Sequence, residues 1–187
     1  MKNDGSLRAI VICAGKSEVD IFTNIKRPLK ITIEVISDKN GRKGYQIESL
    51  GNILENVHFK SKKNFLNEYS NIEIRNKNIV NFKIFTIMDC DDCDESVITK
   101  YKVGELFRKY WFRDLIVPIY NVRNLEDIMQ KAGFAEEAKE KKYSKVLLWK
   151  PDSSEVDQIL NFEEKLKQNP DTNMEDVVRY CLMLRDY

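Results

Sequence analysis

Residues 83–95, KIFTIMDCDDCDE, carry an apolar stretch of strand length, Ile84 to Met88, straight into five acidic residues within seven positions. Such a stretch predicts a buried strand, and its end aims several carboxylates at one point. Like charges that close repel by several kcal/mol, on the order of magnitude expected in a low-dielectric site, unless a cation or a proton lies between them. Asp89 and Asp91 are two apart, so an extended backbone puts both on the same side. Oxygen donors without neighbouring histidine suit Mg²⁺ or Mn²⁺ rather than zinc. The carboxyl end of a strand is also where open α/β sheets hold ligands. The plainer alternative is a solvated acidic loop.

Apolar runs of strand length alternate with helical patterns. LRAIVIC (7–13) reads as a strand, followed by a glycine turn and a short helix over 17–26 with Ser17 as its cap. LKITIEVIS (29–37) alternates apolar and polar residues with the period of a strand. A polar turn spans 38–44, and an imperfect helical stripe spans 49–69. After the strand at 82–88 come a helix over 96–112 and the strand LIVPIY (115–120). Pro118 there lacks an N–H and marks an edge. Asn124 caps a helix that stops at Gly133, and KVLLW (145–149) reads as a last short strand. Ser153 or Ser154 caps a further helix ended by Asn169-Pro170, and Thr172 to Glu175 has the spacing of a capping box before the final helix. The order predicts a layered α/β sheet over residues 1–150, with a helical C-terminal extension over 151–187 packed on it.

With 42% hydrophobic and 33% charged residues, the chain fits a globular domain, and no apolar run is long enough for a membrane span. The polar start, MKNDGSLR, has no signal-like pattern. Four cysteines (Cys13, Cys90, Cys93, Cys181) fit a reducing cytoplasm better than a disulfide scaffold. The net charge of +1 hides an asymmetry: residues 1–80 hold 14 Lys/Arg against 9 Asp/Glu, and residues 81–187 hold 17 against 21. A basic half beside an acidic, cation-binding site suits a polyanionic substrate. No polybasic stripe is present for tight autonomous DNA binding, which leaves room for an oligomer or a partner to complete a groove.

Two strand ends stand out: IVICAGKSE (10–18), turning through Gly15, and IMDCDDCDE (87–95). Together they resemble the TOPRIM domain of topoisomerases, bacterial primases and small or OLD-type nucleases. In that family a first strand ends in a Glu-Gly turn and a later one in Asp-x-Asp. The resemblance covers roughly residues 7–130, within which IVPIYN (116–121) and NLEDI (124–128) look like the stretch after the Asp-x-Asp strand in small OLD-like proteins. It implies a Mg²⁺- or Mn²⁺-dependent nuclease in which Asp89 and Asp91 hold the metal, with Glu18 and Glu126 as further candidate ligands. Lys16, near a helix N-terminus, is placed to contact a phosphate. The family's acid/base Glu is replaced by Ala14. The chain as it stands is then either a silenced nuclease or a non-catalytic, TOPRIM-like regulatory or binding subunit. Standalone domains of this kind resemble effectors of bacterial phage defence that a partner such as an ATPase holds inactive, which implies a DNA or RNA substrate and an oligomer or a regulatory partner.

Other chemistries fit less well. Counted from Asp89, an EF-hand loop would need Gly where Asp94 stands and Glu where Lys100 stands. Cys90-x-x-Cys93 is at most half a zinc site, and the single histidine, His58, lies between Val57 and Phe59 and reads as a surface or packing residue. AGKS lacks the earlier glycine of a phosphate-binding Walker loop. Trp111 and Trp149 read as core. An unrelated α/β phosphotransferase remains a third possibility.

Overall fold

The computed structural model describes residues 5–37, 46–135 and 154–185. Its elements, in chain order, are β1 (Ala9–Cys13), α1 (Lys16–Leu29), β2 (Ile33–Ile36), α2 (Gly51–Leu54), α3 (Lys62–Glu68), a small hairpin of β3 (Ile74–Arg75) and β4 (Asn78–Ile79), β5 (Lys83–Asp89), α4 (Glu95–Lys102), β6 (Ile116–Asn121), α5 (Leu125–Lys131), α6 (Glu155–Lys167) and α7 (Glu175–Arg185). Strands β2, β1, β5 and β6 pair in that order, all parallel, into one sheet. The fold is therefore α/β, a four-stranded parallel sheet with helices on both faces.

The two-residue period of the strands divides the core. Ala9, Val11, Cys13, Phe85, Ile87 and Ile119 pack on one face with α1, α5, α6 and α7. Ile10, Ile12, Ala14, Ile84, Met88 and Cys90 point to the other, among Leu54, Phe65, Tyr101, Phe107 and Phe112. Burial on both faces explains why β1 is apolar at every position. Thr86, the polar residue within the apolar stretch of β5, has its hydroxyl 2.9 Å from that of Tyr101 on α4. The Tyr101 hydroxyl also lies 2.6 Å from the Thr86 carbonyl and 2.9 Å from that of Ile119, which fastens α4 across β5 and β6.

β6 forms the edge opposite β2, and the edge is closed chemically. Pro118 offers no donor there. The Tyr120 N–H donates to Asn173 Oδ1, the Val122 N–H donates to the Asp171 carbonyl, and Asn173 Nδ2 donates to the Pro118 carbonyl. The segment between α6 and α7 thus stands in for a fifth strand, with Asn121 and Thr172 bridged antiparallel.

Several sequence-based boundaries change. The first helix begins at Lys16 with Gly15 before it, so Ser17 is not the cap. The second strand is shorter than 29–37, because Leu29 ends α1 and Lys30 turns left-handed at φ 53°. The stripe over 49–69 is broken where Asn56 Oδ1 accepts the N–H groups of His58 and Phe59, a local turn that competes with the helix. His58 lies in that turn and pairs with Glu68 at 3.0 Å. The helix expected over 96–112 stops at Lys102, and Gly104 takes φ 74°, after which short 3₁₀ turns carry Phe107 and Leu115. Trp111, expected in the core, is exposed, its indole N–H donating to the Phe59 carbonyl.

Ser154 and Asn124 cap their helices as expected, accepting from the N–H groups of Asp157 and Asp127. The Thr172 hydroxyl is engaged away from the expected capping box, accepting from the Met174 N–H and donating to Asn121. The expected turn at 38–44, the strand at 145–149 with Trp149, and Ser153 lie outside the described residues. No helix among the described residues is long and apolar enough to cross a membrane.

Candidate functional site

The connection after β1 leads outward to β2, whereas β5 pairs on the other side of β1. The carboxyl ends of β1 and β5 therefore border the point where the strand order reverses, which is where such sheets open a crevice for ligands. Gly15 and α1 rise from one side of that point, and Asp89 ends the strand on the other.

Glu18 sits at the third position of α1, where a helix leaves N–H groups without intrahelical partners. Its carboxylate turns back and accepts the Gly15 N–H at 2.9 Å. A Cβ at position 15 would stand 3.3 Å from Glu18 Oε2, so a side chain there would push the carboxylate back by a few tenths of an ångström. Gly15 itself has extended backbone, so the requirement is for space rather than unusual torsion. The fold-back leaves Glu18 only 3% exposed beneath the turn. Burial, with the charge of Asp89 adding to it, raises its pKa to about 7.

Counting by twos from Phe85 and Ile87, Asp89 falls on the same face of the sheet as α1. It pairs in register with Asn121 on β6, and Asn121 Nδ2 donates to Asp89 Oδ1 at 2.9 Å. The Leu125 backbone N–H also donates to it. Burial nevertheless dominates and lifts the Asp89 pKa to about 6, with the charges of Asp91 and Glu126 contributing. Cys13, at the end of β1, is buried and raised well above an ordinary thiol, first by burial and then by Glu18. It is therefore a packing residue rather than a nucleophile.

Around this pair the other candidates differ in burial. Asp91 is exposed on the loop, where Asn124 Nδ2 donates to its Oδ2 at 3.1 Å. Glu126 is half-buried in the first turn of α5 and near enough for its charge to act on Asp89. Lys16 is exposed at the N-terminus of α1. Asp92, Asp94 and Glu95 are exposed as well. Ala14 continues the pairing of β1, its N–H donating to the Ile87 carbonyl, but its side chain packs on the face away from Glu18 and Asp89. Cys93 donates to Glu48 Oε2 at 3.1 Å, and burial raises both Cys90 and Cys93 to about 11.

The donor chemistry fits a hard divalent cation: the carboxylate of Glu18 is buried, that of Asp89 is half-buried and near enough for its charge to act on Glu18, and burial makes both hold protons more tightly than free carboxyls do. Among the described residues no three acidic, thiol or imidazole side chains converge into a ready-made cage. Mg²⁺ needs no such cage, since it keeps several waters and takes one or two protein carboxylates. Sequence reasoning missed Asn121 and Thr172. A polar residue closing the apolar run IVPIYN was a signal for Asn121, whereas nothing in the sequence linked Thr172 to a strand end about 50 residues earlier. Compared with known proteins, the chain matches no family model, no curated protein and no solved structure.

Proposed function

We propose that the protein is a TOPRIM-type, Mg²⁺- or Mn²⁺-dependent nuclease whose cation site is the Glu18–Asp89 pair; by the resemblance, Ala14 stands where the family has its acid/base Glu and leaves the chain silent, while its side chain lies on the sheet face opposite that pair. The observation that carries the reading is the pair itself: the buried Glu18 and the half-buried Asp89, like-charged groups brought near one another at the switch point of a parallel sheet, with pKa values raised to about 7 and about 6. Glu18 caps the Gly15 N–H and Asp89 is held by Asn121, and a cation between them would relieve the repulsion that those contacts leave. Mg²⁺ or Mn²⁺, when bound, supplies positive charge against the negative charge that develops on a phosphodiester during cleavage. Glu18 and Asp89 bind the cation, the Asn121 amide orients Asp89, and Asp91 and Glu126 add negative potential at the rim. Lys16, on the N-terminal turn of a 14-residue helix, is placed to draw in a phosphate. The substrate is nucleic acid, DNA or RNA, and phage defence under the control of a partner is the setting that the resemblance suggests.

A second reading has its own support. Ala14 is packed among apolar residues on the opposite face, which suits a naturally non-catalytic, metal-binding regulatory subunit. The deciding experiment incubates plasmid, single-stranded DNA and total RNA with Mg²⁺ or Mn²⁺ and three proteins: the chain as it stands, Ala14→Glu, and Ala14→Glu with Asp89→Ala. The nuclease reading expects cleavage by Ala14→Glu alone. Silence from all three, with metal binding retained, gives the regulatory reading.

A further inference from the structure

The Asn121 amide can present either its N–H₂ or its oxygen to Asp89, and only the first favours an ionised carboxylate ready to bind a cation. We infer that Thr172, from the segment between α6 and α7, is a positioning residue that fixes this choice; the inference rests on the metal-binding reading above. The hydroxyl oxygen of Thr172 accepts the Met174 N–H at 3.1 Å. Its own proton is thereby directed away from that N–H and onto Asn121 Oδ1, 2.8 Å distant. With its oxygen held at that end, the amide must turn Nδ2 toward Asp89, where it donates at 2.9 Å. The relay from Met174 through Thr172 and Asn121 to Asp89 is polar at every step and closed to water in its middle, with Asn121 fully buried and Thr172 nearly so. A buried relay of this kind has one low-energy arrangement, because reversing the amide would set oxygen against oxygen at Asp89.

The relay also ties the site to the edge of the sheet. Thr172 lies in the segment that covers the outer side of β6, held there by the Val122 N–H on Asp171 and by Asn173 on Tyr120 and Pro118. The segment between the C-terminal helices thus reaches the candidate metal ligand through the Thr172 hydroxyl and the Asn121 amide.

The test uses the full-length chain with Mn²⁺ as the probe, its affinity read from free-ion electron paramagnetic resonance, and compares the native protein with Thr172→Val and Thr172→Ser. Removing the direct outer partner of a metal ligand costs about 10–100-fold in affinity, and Thr172, acting on Asp89 through Asn121, belongs at the lower end of that range. The expected result is therefore Mn²⁺ binding by the native chain, at least tenfold weaker binding by Thr172→Val, and restoration within about twofold by Thr172→Ser, which keeps the hydroxyl. Equal binding by native and Thr172→Val proteins overturns the inference and leaves the metal site standing. Weakened binding by both variants also overturns it, since the hydroxyl would then not be the determinant. Absence of Mn²⁺ binding by the native chain overturns the metal site and the inference with it. Should Thr172→Val fail to fold, the native protein alone decides through its Asn121 side-chain amide resonances. Slow solvent exchange and a shift that follows Mg²⁺ binding support the relay, and rapid exchange or no shift overturns it.

Discussion

Glu18 and Asp89 owe their properties to being withdrawn from water rather than to any single contact. For Glu18 the sign of the consequence is fixed. A carboxyl whose pKa rises from 4.5 to about 7 on folding binds a proton that the unfolded chain has already lost between those values. Stability is therefore fully present below about pH 4.5 and falls as pH rises through about 7, the reverse of a salt-bridged acid. Glu18→Gln removes the penalty and should stabilise the metal-free protein by about 3 kcal/mol at pH 8, with little effect at pH 4.5. Urea unfolding at the two pH values checks this. A Glu18→Gln protein no more stable than the native chain at pH 8 would show that the carboxylate is already compensated. Added Mg²⁺ should raise native stability at pH 8 and leave Glu18→Gln nearly unmoved, by linkage to the binding state.

Among the elements, α4 and β6 show how strongly this fold relies on buried hydroxyl and amide groups. Tyr101→Phe leaves the carbonyls of Thr86 and Ile119 without the phenol that lies between them, and should cost about 1–3 kcal/mol with an unchanged denaturant slope. Asn173→Ala should cost about 1 kcal/mol and speed amide exchange at Tyr120, because the uncovered N–H returns to water. A protected Tyr120 amide in that variant would mean that the edge is covered by something other than Asn173. These elements also mark what the sequence can disclose. The strands of the parallel sheet were legible, because burial on both faces of β1 and β5 demands apolar residues at nearly every position, whereas the short hairpin of β3 and β4 was not. The helix over 96–112 was not, because apolar spacing ran on through Leu106, Tyr110 and Trp111 while Gly104 at positive φ ended the helix first. The stripe over 49–69 misled for a similar reason: the turn made by Asn56 depends on one side-chain oxygen, which periodicity does not register.

For the molecule as a whole, the parallel sheet converts two motifs about 75 residues apart into one site. The aspartates after β5 and the glycine turn after β1 were visible as sequence. That Glu18, rather than position 14, lies under the turn beside Asp89 follows from the helix starting at Lys16, a boundary set by Glu18 itself. The part played by Thr172 depends on how the C-terminal helices return to the edge of β6, which no local pattern encodes. Anomalous diffraction from crystals grown with Mn²⁺ near pH 8 tests directly whether Glu18 and Asp89 together hold a divalent cation. An anomalous peak is expected between the two carboxylates at the carboxyl ends of β1 and β5. Carboxylates found facing each other with no peak between them, or a peak bound only at the exposed acidic loop over 91–95, would contradict it.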